Sequence, residues 1–313
     1  MAKQWTRIKF ELPFVIPVDD GVYEVLVSGG KSRVSIQRVQ RTLTAGLFTF
    51  GSGVADLKYD THGRLAFSKV SIEIPGHFEM TTRHDKFFDS DRLTIIEKAI
   101  DHLNRLVDVS RHVTGNFSVG RVRYPDTLGF EISYLSDGKE TPGAVGMSTG
   151  TGGVVMSGGP IRYLTGDQRE KLIRSLQEEE KLDPSISFLL DAKSSILDED
   201  YALATVLAVV VLEVALSRFA MERGKKKGIE ADQIERMVKE IGIRISIDGF
   251  LKLLLDPSDP TLDDKILESC SGAITTRNNV VHKGIRFVTR EETEERILAI
   301  EKMANYLASL NAR

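Results

Sequence analysis

The segment Arg277-Asn278-Asn279-Val280-Val281-His282-Lys283-Gly284 gathers a guanidinium, a carboxamide and an imidazole within a few residues. Arg and His in register could form a site for cleaving a phosphodiester. The guanidinium neutralises the phosphate, the imidazole moves protons near neutral pH, and the carboxamide of Asn278 orients one or the other. A second pair, Arg105 and His112, has a similar spacing but carries Leu106 where the polar residue would stand. It also falls in the one helix of a strand-rich half, so its spacing is read as coincidence. The densest basic run is Lys225-Lys226-Lys227, with Arg223 just before it. These cations sit at the end of a predicted helix, where they meet the dipole favourably. Helix termination and solubility are one reading; contact with an RNA backbone, together with Lys283, is the other.

Metal chemistry finds little support. His62, His77, His84, His102, His112 and His282 show no His-x3-His spacing and no His-Glu-x-x-His. The glycine-rich stretch 146–160 is followed by no lysine, so it lacks the Gly-Lys-Ser/Thr ending of a phosphate loop. No metal and no cofactor is expected.

The 313 residues carry 42 Lys+Arg against 45 Asp+Glu, a net charge of -3, which argues against a constitutive nucleic-acid binder. A transient nucleic-acid substrate remains compatible with it. One cysteine, Cys270, excludes an internal disulfide framework and a Cys-based zinc cluster. That fits a reducing compartment, and a cytoplasmic protein is expected. No apolar run of signal-peptide length follows the first residues. The most apolar stretch, Tyr201–Leu212, falls short of the roughly 18–20 residues a membrane span needs and is read as a buried helix.

The elements that must position these groups divide the chain. Residues 1–160 hold β-branched, alternating segments: Thr6–Phe14, Val22–Val27, Ser32–Val39, Arg64–Ile74, Ser118–Tyr124 and Gly129–Tyr134. Gly29-Gly30 is a hairpin signal. One helix interrupts them over Asp91–His112, with Asp89-Ser90-Asp91 as cap candidates and Gly115 beyond its end. Residues 137–160 are the glycine-rich boundary, part linker and part hairpin candidate. Residues 161–313 read as helical: Gln168–Lys181, Asp198–Arg223, Ala231–Ile241, Ile247–Leu255, Leu262–Ile274 and Arg290–Leu310. Thr289 and Glu292 have the spacing of a capping box. The fold class expected is α+β in two domains, a β-rich N-terminal domain with one helix and an all-α bundle.

The Arg277–His282 segment resembles the motif of the HEPN superfamily, whose ribonucleases carry Arg, a polar residue and a His four to six residues after the Arg. Its position also resembles that family, following a run of helices and preceding one closing helix. The long apolar helix with Glu213 embedded in it resembles the family's early helix. The resemblance covers roughly residues 165–313 and does not extend to the N-terminal half. It implies a metal-independent endoribonuclease in which two protomers each contribute Arg277 and His282 to one composite cleft. His282 would be the general acid or base, Arg277 the stabiliser of phosphate charge, and Asn278 the orienting group. A homodimer or higher homo-oligomer follows, with a toxin or antiviral defence role. The β-rich half would be a sensor or regulatory domain open to a trigger partner. The alternative it leaves is a non-catalytic HEPN-like dimerisation module carrying a β-rich binding domain.

Overall fold

A computed structural model describes residues 4–12, 15–27, 30–42, 64–76, 90–117, 119–123, 130–136, 139–146, 164–178, 182–285 and 287–311. Six antiparallel strands occupy the N-terminal part and helices dominate the C-terminal part, a mixed α+β fold. The chain forms two compact units, residues 1–182 and 183–313.

In the first unit the strands are β1 (Gln4–Leu12), β2 (Gly21–Val27), β3 (Gly30–Thr42), β4 (Arg64–Pro75), β5 (Phe130–Ser136) and β6 (Lys139–Gly146). They assemble in the order β2-β3-β4-β1-β5-β6. Strand side chains alternate between faces, so register decides which residues share a core. Tyr23, Val34, Ile72, Ile8 and Ile132 stand opposite one another across five strands, and all are buried. The helices α1 (Ser90–Thr114) and α2 (Gly166–Gln177) pack on that apolar face. The opposite face carries a ladder of alternating charge: Glu24 beside Arg33, Arg33 beside Glu73, Glu73 beside Arg7.

Several expectations change here. Residues 119–123 of the expected strand Ser118–Tyr124 are not a strand. The Asn104 carboxamide on α1 takes the place of a strand partner: its Nδ2 donates to Val122 O at 2.9 Å and its Oδ1 accepts from Val122 N at 2.7 Å. Val122 can therefore be buried without a neighbouring strand. β6 arises from residues read as part of the glycine-rich boundary. The helix α2 starts on a complete capping box, Thr165 with Gln168, and its Leu172 and Leu176 join the core beneath the sheet. It belongs with the strands rather than with the later helices. The β2–β3 pair closes at Val27 opposite Gly30, so the expected hairpin is formed. His77 and His84 lie outside the described residues. His102 is a core residue of α1, hydrogen-bonded through Nδ1 to Ser32 Oγ at 2.8 Å, and burial pushes its pKa down.

The second unit contains α3 (Pro184–Leu197), α4 (Tyr201–Lys226), α5 (Ala231–Ile245), a π-helical turn (Ser246–Phe250), α6 (Leu251–Leu254), α7 (Asp264–Lys283) and α8 (Arg290–Asn311). The expected helix Asp198–Arg223 begins later, because Asp200 caps it by accepting from Leu203 N at 3.0 Å. The unexpected α3 starts on Asp183, with Pro184 at its first position. By length and composition α4 could cross a membrane, and a little over half of its most apolar stretch is buried in the unit. It packs against α3, α5, α7 and α8, contributing Ala204, Ala208, Leu212, Leu216 and Phe219 to the core. At α8, Thr289 accepts from Glu292 N at 3.3 Å, while the Glu292 carboxylate lies 3.7 Å from Arg296.

Candidate functional site

The motif lies on a helix longer than its sequence suggests. Asp263 caps α7 by accepting from Lys265 N, and Cys270, Ala273 and Ile274 bury one face. The expected end at Ile274 is passed by two further turns. The stop is Gly284, at φ 67°, whose N–H returns to Asn279 O; Ile285 N reaches the same oxygen at 3.2 Å. That left-handed turn suits a residue without Cβ. Arg277, Asn278 and His282 therefore stand in the last turns of a regular helix, held by its caps.

Helix geometry then decides which groups meet. Asn278 and His282, four apart, share a face. Arg277 and His282, five apart, point about 140° away from each other and lie about 7.5 Å apart along the axis. Arg277 is half-buried. Its Nη1 donates to Asn278 Oδ1 at 3.1 Å, and its Nη2 lies 3.6 Å from Glu213 Oε1 on α4. His282 is exposed and makes no hydrogen bond or ion pair among the described residues. Arg277, Asn278 and Glu213 are thus brought together, and His282, on the Asn278 face, leaves the helix in a different direction from Arg277.

Two surfaces border this cluster. Glu213 also lines an open groove of about 600 Å³ between α4 and α5, with Val210, Val214, Met221, Val238 and Ile243. On the other side, apolar residues near His282 in sequence are uncovered: Val281 is 51% exposed, Ile285 47% and Phe287 89%. Three exposed apolar groups within seven residues are candidates for an interaction surface.

The basic run is partly spoken for. Lys227 pairs with Asp256 at 3.0 Å. Arg223, 7% exposed, reaches Asp256 at 2.7 Å, Asp259 at 3.0 Å and Leu310 O at 3.1 Å, and stacks over Phe219. The Lys226 charge acts on the Asp256 carboxylate, while Lys225 of the run and Lys283 beyond the motif are exposed with no ion pair among the described residues. In the other Arg–His pair, Arg105 Nη2 donates to Ser175 O at 3.1 Å and ties α1 to α2.

Glu213 is the residue whose role sequence reasoning did not assign. A lone carboxylate inside an otherwise apolar helix was its visible signal, and the 3.6 Å approach of Arg277 gives that signal a meaning. Among the described residues no group of three or more His, Cys, Asp and Glu could hold a metal ion. Burial pushes the Cys270 thiol up to about 12, so it is a packing residue rather than a nucleophile. The chain matches no protein-family model, no curated protein and no solved structure.

Proposed function

We propose that the helical unit is a HEPN-type endoribonuclease acting as a homodimer, in a toxin or antiviral defence role in the cytoplasm, with the sheet unit as its sensor or regulatory domain. The observation that carries the reading is the arrangement on α7. A half-buried Arg277 is held by Asn278 and Glu213, and an exposed His282 follows on the same helix, bordered by uncovered Val281, Ile285 and Phe287. A guanidinium oriented by a carboxylate and a carboxamide is pre-organised for phosphate. The exposed apolar patch around His282 gives a second copy a surface to cover.

The chemistry follows from the groups. The ribose 2′-oxygen attacks the phosphorus as His282 removes its proton, and the P–O5′ bond breaks as the leaving oxygen takes up a proton. Arg277 balances the extra negative charge on the phosphorane. The products are a 2′,3′-cyclic phosphate and a 5′-hydroxyl. The nucleophile is the substrate's own hydroxyl, so no bound metal is needed to generate one.

His282→Ala and Arg277→Ala should each lower cleavage of single-stranded RNA by at least about 100-fold, the lower end of what a positioned acid–base group contributes. Wild-type cleavage should survive EDTA and leave cyclic ends. Unchanged cleavage by either variant, or 5′-phosphate products that require Mg²⁺, would sink the assignment.

A second reading has one observation in its favour. The Glu213 carboxylate already neutralises part of the Arg277 charge, and Arg277 and His282 of one chain diverge. A non-catalytic dimerisation module, carrying a β-rich domain that binds a ligand or partner, fits those facts. It predicts a dimer through the Phe287 patch and no RNA cleavage under any condition.

A further inference from the structure

The face of α7 that carries His282 also carries Ser271, Thr275 and Asn278, spaced four, three and four residues apart, so they form one stripe along the helix. Arg244 reaches this stripe from α5. Its Nη2 donates to Thr275 Oγ1 and lies 3.4 Å from Ser271 O. What brings it there is a break in α5: Gly242 has φ 74° and ψ 159°, outside the helical region, and the chain changes course just before Arg244. Arg244 is exposed and makes no ion pair among the described residues. In this it differs from Arg277, which has Glu213, and from Lys227, which has Asp256.

Resting on the ribonuclease reading, we propose that Arg244 is a backbone-binding residue for single-stranded RNA. It holds a phosphate adjacent to the scissile one, with the RNA running along Thr275, Asn278 and His282. Thr275 and His282 are about 10 Å apart along the helix axis, so Arg244 is too far back to serve the same phosphate as His282. The direction of the track follows from charge. Asp264 and Glu268 continue the same face toward the start of α7 and repel phosphate, whereas Asn278, His282 and then Lys283 lie toward its end. Thr275 and Ser271 fix the guanidinium without neutralising it, which leaves its charge and remaining N–H groups for the ligand.

The test is binding, measured apart from cleavage. The probe is a fluorescein-labelled, 2′-O-methylated single-stranded oligoribonucleotide of mixed sequence, which lacks the nucleophile and stays intact. Anisotropy titrations of the full chain across a salt series give the slope of log K against log salt, which is about 0.7 per neutralised phosphate for single strands. Arg244→Gln retains hydrogen-bonding groups toward Thr275 and Ser271 but removes the charge. It should weaken binding roughly 5-fold at low salt and make the slope shallower by about 0.7. Arg244→Lys should restore most of the slope, which a purely structural role would not do. If wild type binds and Arg244→Gln has the same affinity and slope, Arg244 is not on the track and the ribonuclease reading stands without it. If wild type itself shows no binding of the probe, the RNA reading is overturned, and the proposal with it.

Discussion

The divergence of Arg277 and His282 on α7 sets a strict condition on any shared active site. The two residues leave the helix about 140° apart, from a cylinder about 10–12 Å wide with its side chains, and are offset about 7.5 Å along it. Extended outward from the helix, their functional groups would be more than about 10 Å apart, beyond what one phosphate bridges. If cleavage needs both, they come from different protomers, and a two-fold axis makes two equivalent pairs. Complementation follows. A heterodimer of Arg277→Ala with His282→Ala has one pair with both residues missing and one pair intact. Isolated with two affinity tags, it should cleave a quenched fluorescent RNA at about half the wild-type rate, although each parent is nearly inactive. A freely exchanged equal mixture, about half of it heterodimer, should recover about a quarter. The reciprocal heterodimer, wild type with the double variant Arg277→Ala/His282→Ala, leaves each pair short of one residue and should be inactive. A dead first heterodimer and a half-active second one would mean that each chain works with its own pair, and the geometric argument would be wrong.

Two further outcomes bear on stability. Arg223→Ala leaves Asp259, its side chain 7% exposed, without its cation. Breaking such a buried pair costs about 3–5 kcal/mol, measurable by urea denaturation, and a loss under about 1 kcal/mol would show the network to be dispensable. At Asp183, partial burial pushes the pKa up, but hydrogen bonds from Arg218 and Ser185 outweigh it and bring it from 3.8 down to about 2. A folded-state pKa below the unfolded one stabilises the protein above about pH 4, and that contribution fades as pH falls toward 2. Arg218→Met should therefore flatten the fall of the urea midpoint between pH 4 and pH 2. An unchanged profile would remove Arg218 as the cause.

What could be read from the sequence was what local pattern controls. Five strands of the sheet and the helix α1 follow from apolar alternation or helical spacing, and the shared register of Ile8, Ile72 and Ile132 is that alternation made three-dimensional. The errors arise where a distant partner decides. Val122 looks like a strand residue and is buried like one, but the Asn104 side chain satisfies its backbone. The α2 helix has the caps and periodicity expected of it, yet nothing local says that Leu172 and Leu176 belong under a sheet. For α3 the local signal is Asp183-Pro184, a cap followed by a first-turn proline, without a strong apolar periodicity to accompany it. At the site, Arg277, Asn278 and His282 were legible as chemistry. Their divergence required knowing that the helix continues to Gly284. The Glu213–Arg277 approach and the Arg244–Thr275 bond depend on how α4, α5 and α7 pack, which no spacing reports.

Charge pairing separates the two units more sharply than net charge does. On the open face of the sheet, Arg7 is bonded to Glu73 and Glu140, Lys9 lies near Glu140 and Glu131, Lys31 pairs with Glu24, and Lys69 lies near Glu11. Arg33 approaches Glu73 at 3.7 Å and stacks over Trp5. A polyanion laid on that face would compete with a carboxylate at each of these cations. Each exposed pair is weak, about 0–1 kcal/mol, but the face as a whole presents little net field to attract a phosphate backbone. Its alternating signs suit a partner of matching alternation, such as a protein surface, which fits a sensor role better than RNA binding. The helical unit differs in kind. Arg244, Lys225 and Lys283 are exposed with no ion pair among the described residues, and Arg244 reaches the face of α7 that carries His282. A protein of net charge -3 can still focus a local positive field where such cations gather on one helix face.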